Sequence, residues 1–254
     1  MFRKVYRFTN ENVASFNELY NFDNAKVLSV LGSGDQYFAS LLNGASDIEL
    51  FDINNLAWDY FVLKYYGIKI LSYEEFINYF VVNKLDDYEC FGKLKKYLPF
   101  SIFNKLEHLY SKNGKLSWIF EYDPLVCYGD YKIIPYFEKD NYYKLQSILQ
   151  NRELPTFYLR NFSDLSIVLG DKGYDIILAS NIFYSLYLSN EIDNVHFFKN
   201  ILNGYNYSEF QAIYCWWLND DMRDKFLENN FEITPVRTSR SLKFTDDYVI
   251  SLRK

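Results

Sequence analysis

Short apolar runs separated by turn residues recur in two stretches of the chain, one near the start and one after residue 155. Such runs are typical of strands buried on both faces of a parallel sheet. The pattern predicts strands at Val27–Leu31, Ile48–Phe51, Thr156–Arg160, Tyr174–Ala179, Phe210–Trp217, Phe231–Thr238 and Tyr248–Leu252. The polar region Ser239–Ser241 joins the last two strands, which suggests a closing hairpin.

Apolar positions at helical spacing alternate with these strands. They predict helices at Asn10–Tyr20, Asp35–Leu42, Asn54–Tyr66, Asn190–Leu202 and Asp220–Asn229. Gly44 and Gly67 follow the second and third of these helices, and glycine commonly ends a helix. We therefore expect Gly67 to end the helix that begins near Asn54. The alternation of strand and helix predicts an α/β fold.

Residues 68–154 interrupt this alternation. Helical patterns replace the third strand at Tyr73–Val82, Asp86–Leu98, Ile102–Tyr110 and Glu138–Leu149, separated by Pro99, Asn113-Gly114 and Pro124. The sequence therefore predicts a core formed by residues 1–67 and 155–254. The segment 68–154 is predicted to be a mostly helical insertion that lies as a lid over the open end of the sheet.

The first strand and helix carry the residue types that hold a nucleotide-shaped ligand. Val27-Leu-Ser-Val-Leu is followed by Gly32-Ser-Gly34, and the second strand ends on Asp52. Glycines let the backbone approach a ligand, the helix N-terminus offers free N–H groups, and a carboxylate about 20 residues later accepts ribose hydroxyls. Tyr37 stands where a dinucleotide fingerprint has its third glycine, which counts against NAD and FAD. Gly-Lys-Ser/Thr is absent, which excludes a P-loop.

Over residues 27–66 and 156–252 the chain resembles class I S-adenosylmethionine-dependent methyltransferases. Within that superfamily it is most similar to the 3-amino-3-carboxypropyl transferases of betaine-lipid synthesis and their uncharacterised relatives. The resemblance rests on Val27-Leu-Ser-Val, Gly34-Asp-Gln36, Phe51-Asp-Ile-Asn54, Ser72-Tyr-Glu-Glu-Phe76 and Ser180-Asn-Ile-Phe183. It implies a Rossmann-like class I methyltransferase fold, with a seven-stranded, mostly parallel sheet and a helical insertion.

The resemblance also implies a cofactor, S-adenosylmethionine, and roles for individual residues. The implied positions are Gly32, Ser33, Gly34 and Asp35 around the methionine part, Asp52 on the ribose with Ile53 and Asn54 at the same edge, Ser163 and Asp164 beside the adenine, and Asn181 facing the substrate as the catalytic candidate. Ser29 departs from the pattern, because the family commonly has an acidic residue there that helps to anchor the methionine end. The cofactor is therefore expected to bind differently or weakly.

Each role has a structural alternative. Asp52 is also the residue type that caps a following helix, and Asp164 also suits a turn. Asn181 is also a common strand-end residue. Tyr73-Glu-Glu75 fits either the start of a solvated helix or a segment that closes over the pocket. Two interpretations therefore stay open at each of these positions.

Composition narrows the class of protein. The 254 residues carry a net charge of −6, which argues against a general nucleic-acid binder. The cysteines are isolated and the two histidines, His108 and His196, are far apart, so neither a disulfide framework nor a metal site is predicted. No apolar run reaches the ~18 residues of a transmembrane helix, and no signal peptide is evident. These features lead us to expect a cytoplasmic protein of undetermined oligomeric state.

Two functional hypotheses follow. The first is an S-adenosylmethionine-dependent transferase that moves a methyl or a 3-amino-3-carboxypropyl group to a small-molecule or lipid acceptor. Both reactions are displacements at a sulfonium, which depend on alignment more than on acid–base residues. The alternative, which Ser29 favours, is a non-catalytic S-adenosylmethionine-binding or regulatory protein that retains the fold. Tyr37 at the third-glycine position counts against a further class, the nicotinamide oxidoreductases.

Overall fold

One mixed sheet organises the protein. The structure is a computed structural model, and it describes residues 4–9, 11–122, 133–182, 194–215, 220–236 and 247–253. The strands are β1 (Val5–Tyr6), β2 (Lys26–Val30), β3 (Asp47–Asp52), β4 (Phe120–Tyr122), β5 (Phe157–Leu159), β6 (Gly173–Leu178), β7 (Asn206–Cys215), β8 (Glu232–Val236) and β9 (Asp247–Arg253). The main sheet has the order β5-β3-β2-β6-β7-β9-β8, and β1 pairs separately with β4.

Parallel pairing extends through five strands of the main sheet, from β5 to β7. Strand β9 then pairs antiparallel with both β7 and β8 at the far edge. The predicted α/β fold with a mostly parallel sheet is confirmed. The β7 strand begins earlier than predicted, at Asn206. The predicted end of β7 at residues 216–217 and the region 239–241 lie outside the described residues.

Helices cover the sheet and form most of the described insertion. They are α1 (Val13–Asn17), α2 (Asp35–Leu42), α3 (Asn55–Ile70), α4 (Tyr73–Phe76), α5 (Tyr88–Leu94), α6 (Phe100–Asn113), α7 (Lys139–Gln150), α8 (Phe162–Leu169), α9 (Asn194–Asn203) and α10 (Asp220–Glu228). A π-helical segment, Ile77–Val82, continues α4. Helix α8 was not predicted; Asn161 caps its first turn. None of the helices in the described ranges is both long and apolar enough to cross a bilayer.

Gly67 does not end a helix, so that prediction is wrong. Helix α3 continues through it to Ile70. The reason for glycine at this position is close packing, because a Cβ there would lie 2.4 Å from Cε2 of the Phe80 ring. Gly67 thus lets the π-helical segment approach α3.

The insertion shares its apolar core with the β2–α3 unit. The largest buried cluster joins residues of α2 and α3 to residues of α4, α5, α6 and α7. Polar bonds reinforce this packing, as the Tyr142 hydroxyl donates to the Leu71 carbonyl at 3.0 Å. The insertion also contains the unpredicted strand β4.

A segment that precedes the first βαβ unit is tied across it. We call residues 5–9 and 11–13 the N-terminal strap. The Arg7 guanidinium donates to the Phe80 and Val81 carbonyls at 3.1 and 2.7 Å. The Tyr60 hydroxyl donates to the Arg7 carbonyl at 2.6 Å. These bonds hold the strap against α3 and the π-helical segment, near the carboxyl end of β2.

Candidate functional site

The glycine turn lies directly after β2. Gly32 and Gly34 have φ angles of 50° and 84°, in the left-handed region that glycine adopts without strain. The Gly34 N–H donates to the Leu31 carbonyl at 2.6 Å, which closes the turn before α2 begins. A Cβ on Gly34 would lie 2.6 Å from the Phe61 ring. Both the backbone conformation and the packing against α3 therefore require glycine at position 34.

Asp52 connects the ends of β2 and β3. Its carboxylate accepts the Gly32 N–H at 3.1 Å and the Asn54 N–H at 2.9 Å. The side chain that caps α3 is Asn54, whose Oδ1 accepts the Leu56 N–H at 3.1 Å. The interpretation of Asp52 as the cap of that helix is therefore wrong. Asp52 ends β3 and is half-buried. Its carboxylate therefore lies at the carboxyl edge of the sheet, beside the glycine turn.

Two exposed apolar side chains lie near Asp52. Ile53 is 55% exposed, and Leu159, which is paired with Asp52 across the sheet, is 45% exposed. The predicted edge residue Asn54 is half-buried, and its Nδ2 donates to the Lys4 carbonyl at 3.2 Å. A carboxylate flanked by accessible apolar surface suits a ligand with a hydroxylated sugar and an aromatic base.

Asp35 accepts four hydrogen bonds in a fully buried position. The donors are the Thr9 N–H at 2.5 Å, the Ser33 hydroxyl at 2.8 Å, the Lys64 ammonium at 3.0 Å and the Tyr136 hydroxyl. They belong to the strap, the glycine turn, α3 and the insertion. The predicted contact of Ser33 and Asp35 with a methionine group stays a prediction; their side chains bond to one another and stabilise the turn.

Lys64 is the cation of this network and is completely buried. It also donates to the Arg7 and Ser33 carbonyls at 2.9 and 2.8 Å. Its ammonium lies 4.3 Å from the centre of the Phe8 ring, a favourable position for a cation. Burial lowers the pKa of Lys64 to about 8, and the negative charge of Asp35 opposes that effect.

A second buried carboxylate lies on the other side of the glycine turn. Glu11, in the strap, accepts the Gln36 side-chain amide at 2.6 Å and the Ser180 hydroxyl. The backbone N–H of Asn181 also donates to it. Burial, together with the negative charge of Asp247, raises the pKa of Glu11 to about 7. Glu11 thus links the start of α2 to the residues that follow β6.

Asp52 and Glu11 lie on either side of the point at which the strand order of the main sheet reverses. From β2 the chain crosses to β3 on one side, whereas β6 lies on the other side and leads on to β7. In open α/β sheets, ligands bind at such a reversal of strand order, outside the carboxyl ends of the strands. Asp52 lies on the β3 side of this crevice and Glu11 on the β6 side.

Asn181 lies at the β6 side of the same crevice and is half-buried. The preceding Ser180 has φ of 52°, an uncommon conformation for a residue other than glycine. Strain of this kind often occurs at functional sites. The predicted catalytic role of Asn181 stays a prediction, and Phe183 of the same motif lies outside the described residues.

Ser163 and Asp164 lie in the first turn of α8, after β5. The Ser163 hydroxyl donates to Asp164 at 3.1 Å, and Asp164 is exposed. The structure therefore brings them to the same edge of the sheet as Asp52, while their contact with an adenine stays a prediction. Glu74 and Glu75 pair with Lys139 and Lys93 at the surface, as in the solvated-helix interpretation.

Sequence reasoning missed the functional candidates Glu11, Lys64 and Tyr136. Lys64 did leave a signal, because it is a charged residue within the apolar pattern of a predicted helix. Glu11 and Tyr136 left none, since their partners are distant in sequence. Within the described ranges, no group of three or more His, Cys, Asp or Glu side chains is placed to hold a metal ion.

Comparisons with known proteins find similarity in structure only. No protein-family model and no curated protein sequence matches the chain. A magnesium protoporphyrin IX methyltransferase from Synechocystis with bound S-adenosylmethionine matches at 12% identity and TM-score 0.43, over 95% of this chain and 76% of that one. A ribosomal protein L11 methylase from Lactobacillus delbrueckii matches at 11% and 0.41, over 96% and 77%. An rRNA methylase from Streptococcus thermophilus matches at 9% and 0.39, over 95% and 93%. At these values the similarity does not identify an activity.

Proposed function

We propose that the protein is a transferase that uses S-adenosylmethionine. The observation that carries this proposal is the Asp52 carboxylate, held beside the Gly32 N–H at the reversal of strand order. A half-buried acid next to a glycine turn accepts the two hydroxyls of a ribose, and Ile53 and Leu159 offer apolar surface to the base. Tyr37 stands where a dinucleotide-binding turn has its third glycine, so a single nucleoside fits better than a dinucleotide.

The cofactor would supply a carbon made electrophilic by the adjacent sulfonium. The protein's contribution is then to orient the acceptor in line with the leaving sulfur. Asn181 is the candidate for this task, since its amide both donates and accepts without adding charge. Transfer of a methyl or of a 3-amino-3-carboxypropyl group, to a small-molecule or lipid acceptor, is compatible with this arrangement. The insertion, which Tyr136 ties to Asp35 at the glycine turn, is the segment proposed to shape the acceptor side.

The test is calorimetric titration with S-adenosylmethionine. Replacing Asp52 with Ala removes a charged acceptor, and hydrogen bonds to charged groups contribute about 1.5–3 kcal/mol. The variant should therefore bind roughly 10- to 150-fold more weakly. The matched control is Asp47→Ala, because Asp47 lies exposed at the other end of the same strand. If Asp52→Ala binds as tightly as the wild type, the proposal is wrong.

A non-catalytic sensor is the second candidate, and Ser29 favours it. This residue is fully buried where the resemblance implies an acid, and its hydroxyl bonds to the Val30 carbonyl at 3.0 Å. Mass spectrometry of the copurifying ligand separates the candidates. S-adenosylhomocysteine would indicate methyl transfer and methylthioadenosine would indicate aminocarboxypropyl transfer. Tight binding of unchanged S-adenosylmethionine without turnover would indicate a sensor.

A further inference from the structure

The buried acids of the protein differ in how their charge is balanced. Asp35 pairs with Lys64, Glu49 with Lys172 and Asp59 with Lys105. Glu11 is 1% exposed, and in the described part of the chain no cation forms an ion pair with it. Its described hydrogen-bond donors, two side chains and one backbone N–H, are all neutral. An ionised buried carboxylate without a cation is costly, so a ligand that brings a positive charge to Glu11 gains a favourable partner there.

We propose that the ligand supplies a cation that the described contacts of Glu11 do not include, so that Glu11 receives the protonated amino group at the amino-acid end of S-adenosylmethionine. This inference rests on the proposed function and adds a residue outside the β2–α3 unit to its site. The N-terminal strap is then part of the cofactor site. Ligands that lack an amino group lose this contact.

The position of Glu11 fits that assignment. Asp52 and Glu11 lie on opposite sides of the glycine turn, bonded to Gly32 and Gln36 respectively. In this proposal the ligand places its ribose on Asp52, crosses the turn and presents its amino-acid end to Glu11. Glu11 and the uncharged Ser29 both contact the side chain of Gln36. Glu11 therefore brings a negative charge to the end of the crevice at which Ser29 has none.

The carboxylate of Glu11 has acceptor capacity for a further hydrogen bond. An ionised carboxylate offers about four acceptor positions. The described contacts use three, from Gln36, Ser180 and the Asn181 N–H. Ser180 and Asn181, which contribute two of these donors, are half-buried on the β6 side of the crevice. Ser180, whose φ is 52°, donates its hydroxyl to Glu11.

The experiment compares two ligands and three proteins by calorimetry. Methylthioadenosine shares the nucleoside of S-adenosylmethionine but lacks the amino-acid end. Glu11→Gln keeps the shape and removes the charge, and Glu49→Gln makes the same change at a buried carboxylate away from the crevice. We expect Glu11→Gln to weaken S-adenosylmethionine binding at least tenfold and methylthioadenosine binding less than twofold. We expect Glu49→Gln to change neither affinity by more than twofold.

The outcomes separate this inference from the proposed function. If Glu11→Gln weakens both ligands equally, or neither, the inference is overturned while the nucleoside site stands. If the wild type binds neither ligand, the proposed function falls and the inference with it. A second readout is proton release: at pH 6 the wild type should release a proton on binding S-adenosylmethionine, as the ligand's charge ionises Glu11, and Glu11→Gln should not. Equal proton release from both proteins would also overturn the inference.

Discussion

Replacing Glu11 with Gln is expected to make the ligand-free protein more stable at neutral and alkaline pH. Glutamine resembles the protonated acid in shape and charge. Its amide can donate to the Ser180 hydroxyl and accept from the Gln36 amide, so both side-chain hydrogen bonds of position 11 can be kept. What the substitution removes is a negative charge that burial disfavours.

The magnitude follows from the pKa of Glu11, which burial raises from 4.5 to about 7, with the nearby Asp247 adding to the effect. One pKa unit corresponds to about 1.4 kcal/mol, so ionisation costs the folded state about 3 kcal/mol more than the unfolded state. A raised folded-state pKa contributes stability that is complete below pH 4.5 and is lost as pH rises through 7. The advantage of Glu11→Gln should therefore be near zero at pH 4.5 and reach about 3 kcal/mol above pH 7.

Urea unfolding of both proteins at pH 5, 6, 7 and 8 measures this difference. Titrating groups distant from Glu11 are common to both proteins and cancel in the comparison. Parallel stability curves between pH 5 and 8 would refute the reasoning, since they would mean that Glu11 titrates alike in the folded and unfolded protein. A variant less stable than the wild type at pH 8 would refute it as well.

Three further predictions concern the turn, the insertion and the β6 end. Replacing Lys64 with Met should lower the free energy of unfolding by about 3–5 kcal/mol, because its buried carboxylate partner is left uncompensated; replacing both partners by uncharged residues should recover much of the loss in urea unfolding. Gly67→Ala should lower the free energy of unfolding by about 1–3 kcal/mol, because its Cβ would contact the buried Phe80 ring. Gly92→Ala, in open space within α5, should instead raise it by about 0.5–1 kcal/mol in the same assay. Asn181→Ala should strongly lower the turnover of S-adenosylmethionine with its acceptor, while thermal stability and nucleoside binding are preserved. Unchanged turnover would show that Asn181 has only a structural role at the end of the strand.

The sequence alone predicted the features that depend on local patterns. The strands of the main sheet follow from short apolar runs, and the turn after β2 follows from glycines at positions where φ must be positive. The placement of Asp52 beside that turn also followed, because consecutive parallel strands end at the same edge of a sheet.

Signals that have two physical causes were less informative. A glycine after a helical pattern ends a helix in many proteins, but Gly67 permits close packing against Phe80. An aspartate before a helix caps it in many proteins, but here Asn54 is the cap and the Asp52 carboxylate accepts the Gly32 N–H of the turn. In both cases the deciding contact lies in the tertiary structure, so the local pattern could not choose.

The balance of buried charge was decided by tertiary structure alone. Asp35 is bonded to Lys64 and Tyr136, 29 and 101 residues away, and Glu11 to Ser180, 169 residues away. The periodicity of apolar residues predicts which side chains are buried, since the buried face of a helix or strand repeats with its period. It does not predict which buried charged groups contact one another, because that depends on how distant segments pack together. The contacts of the strap and the insertion with the glycine turn therefore form only in the tertiary structure. They include the contacts of Glu11, the carboxylate that we assign to the ligand's amino group.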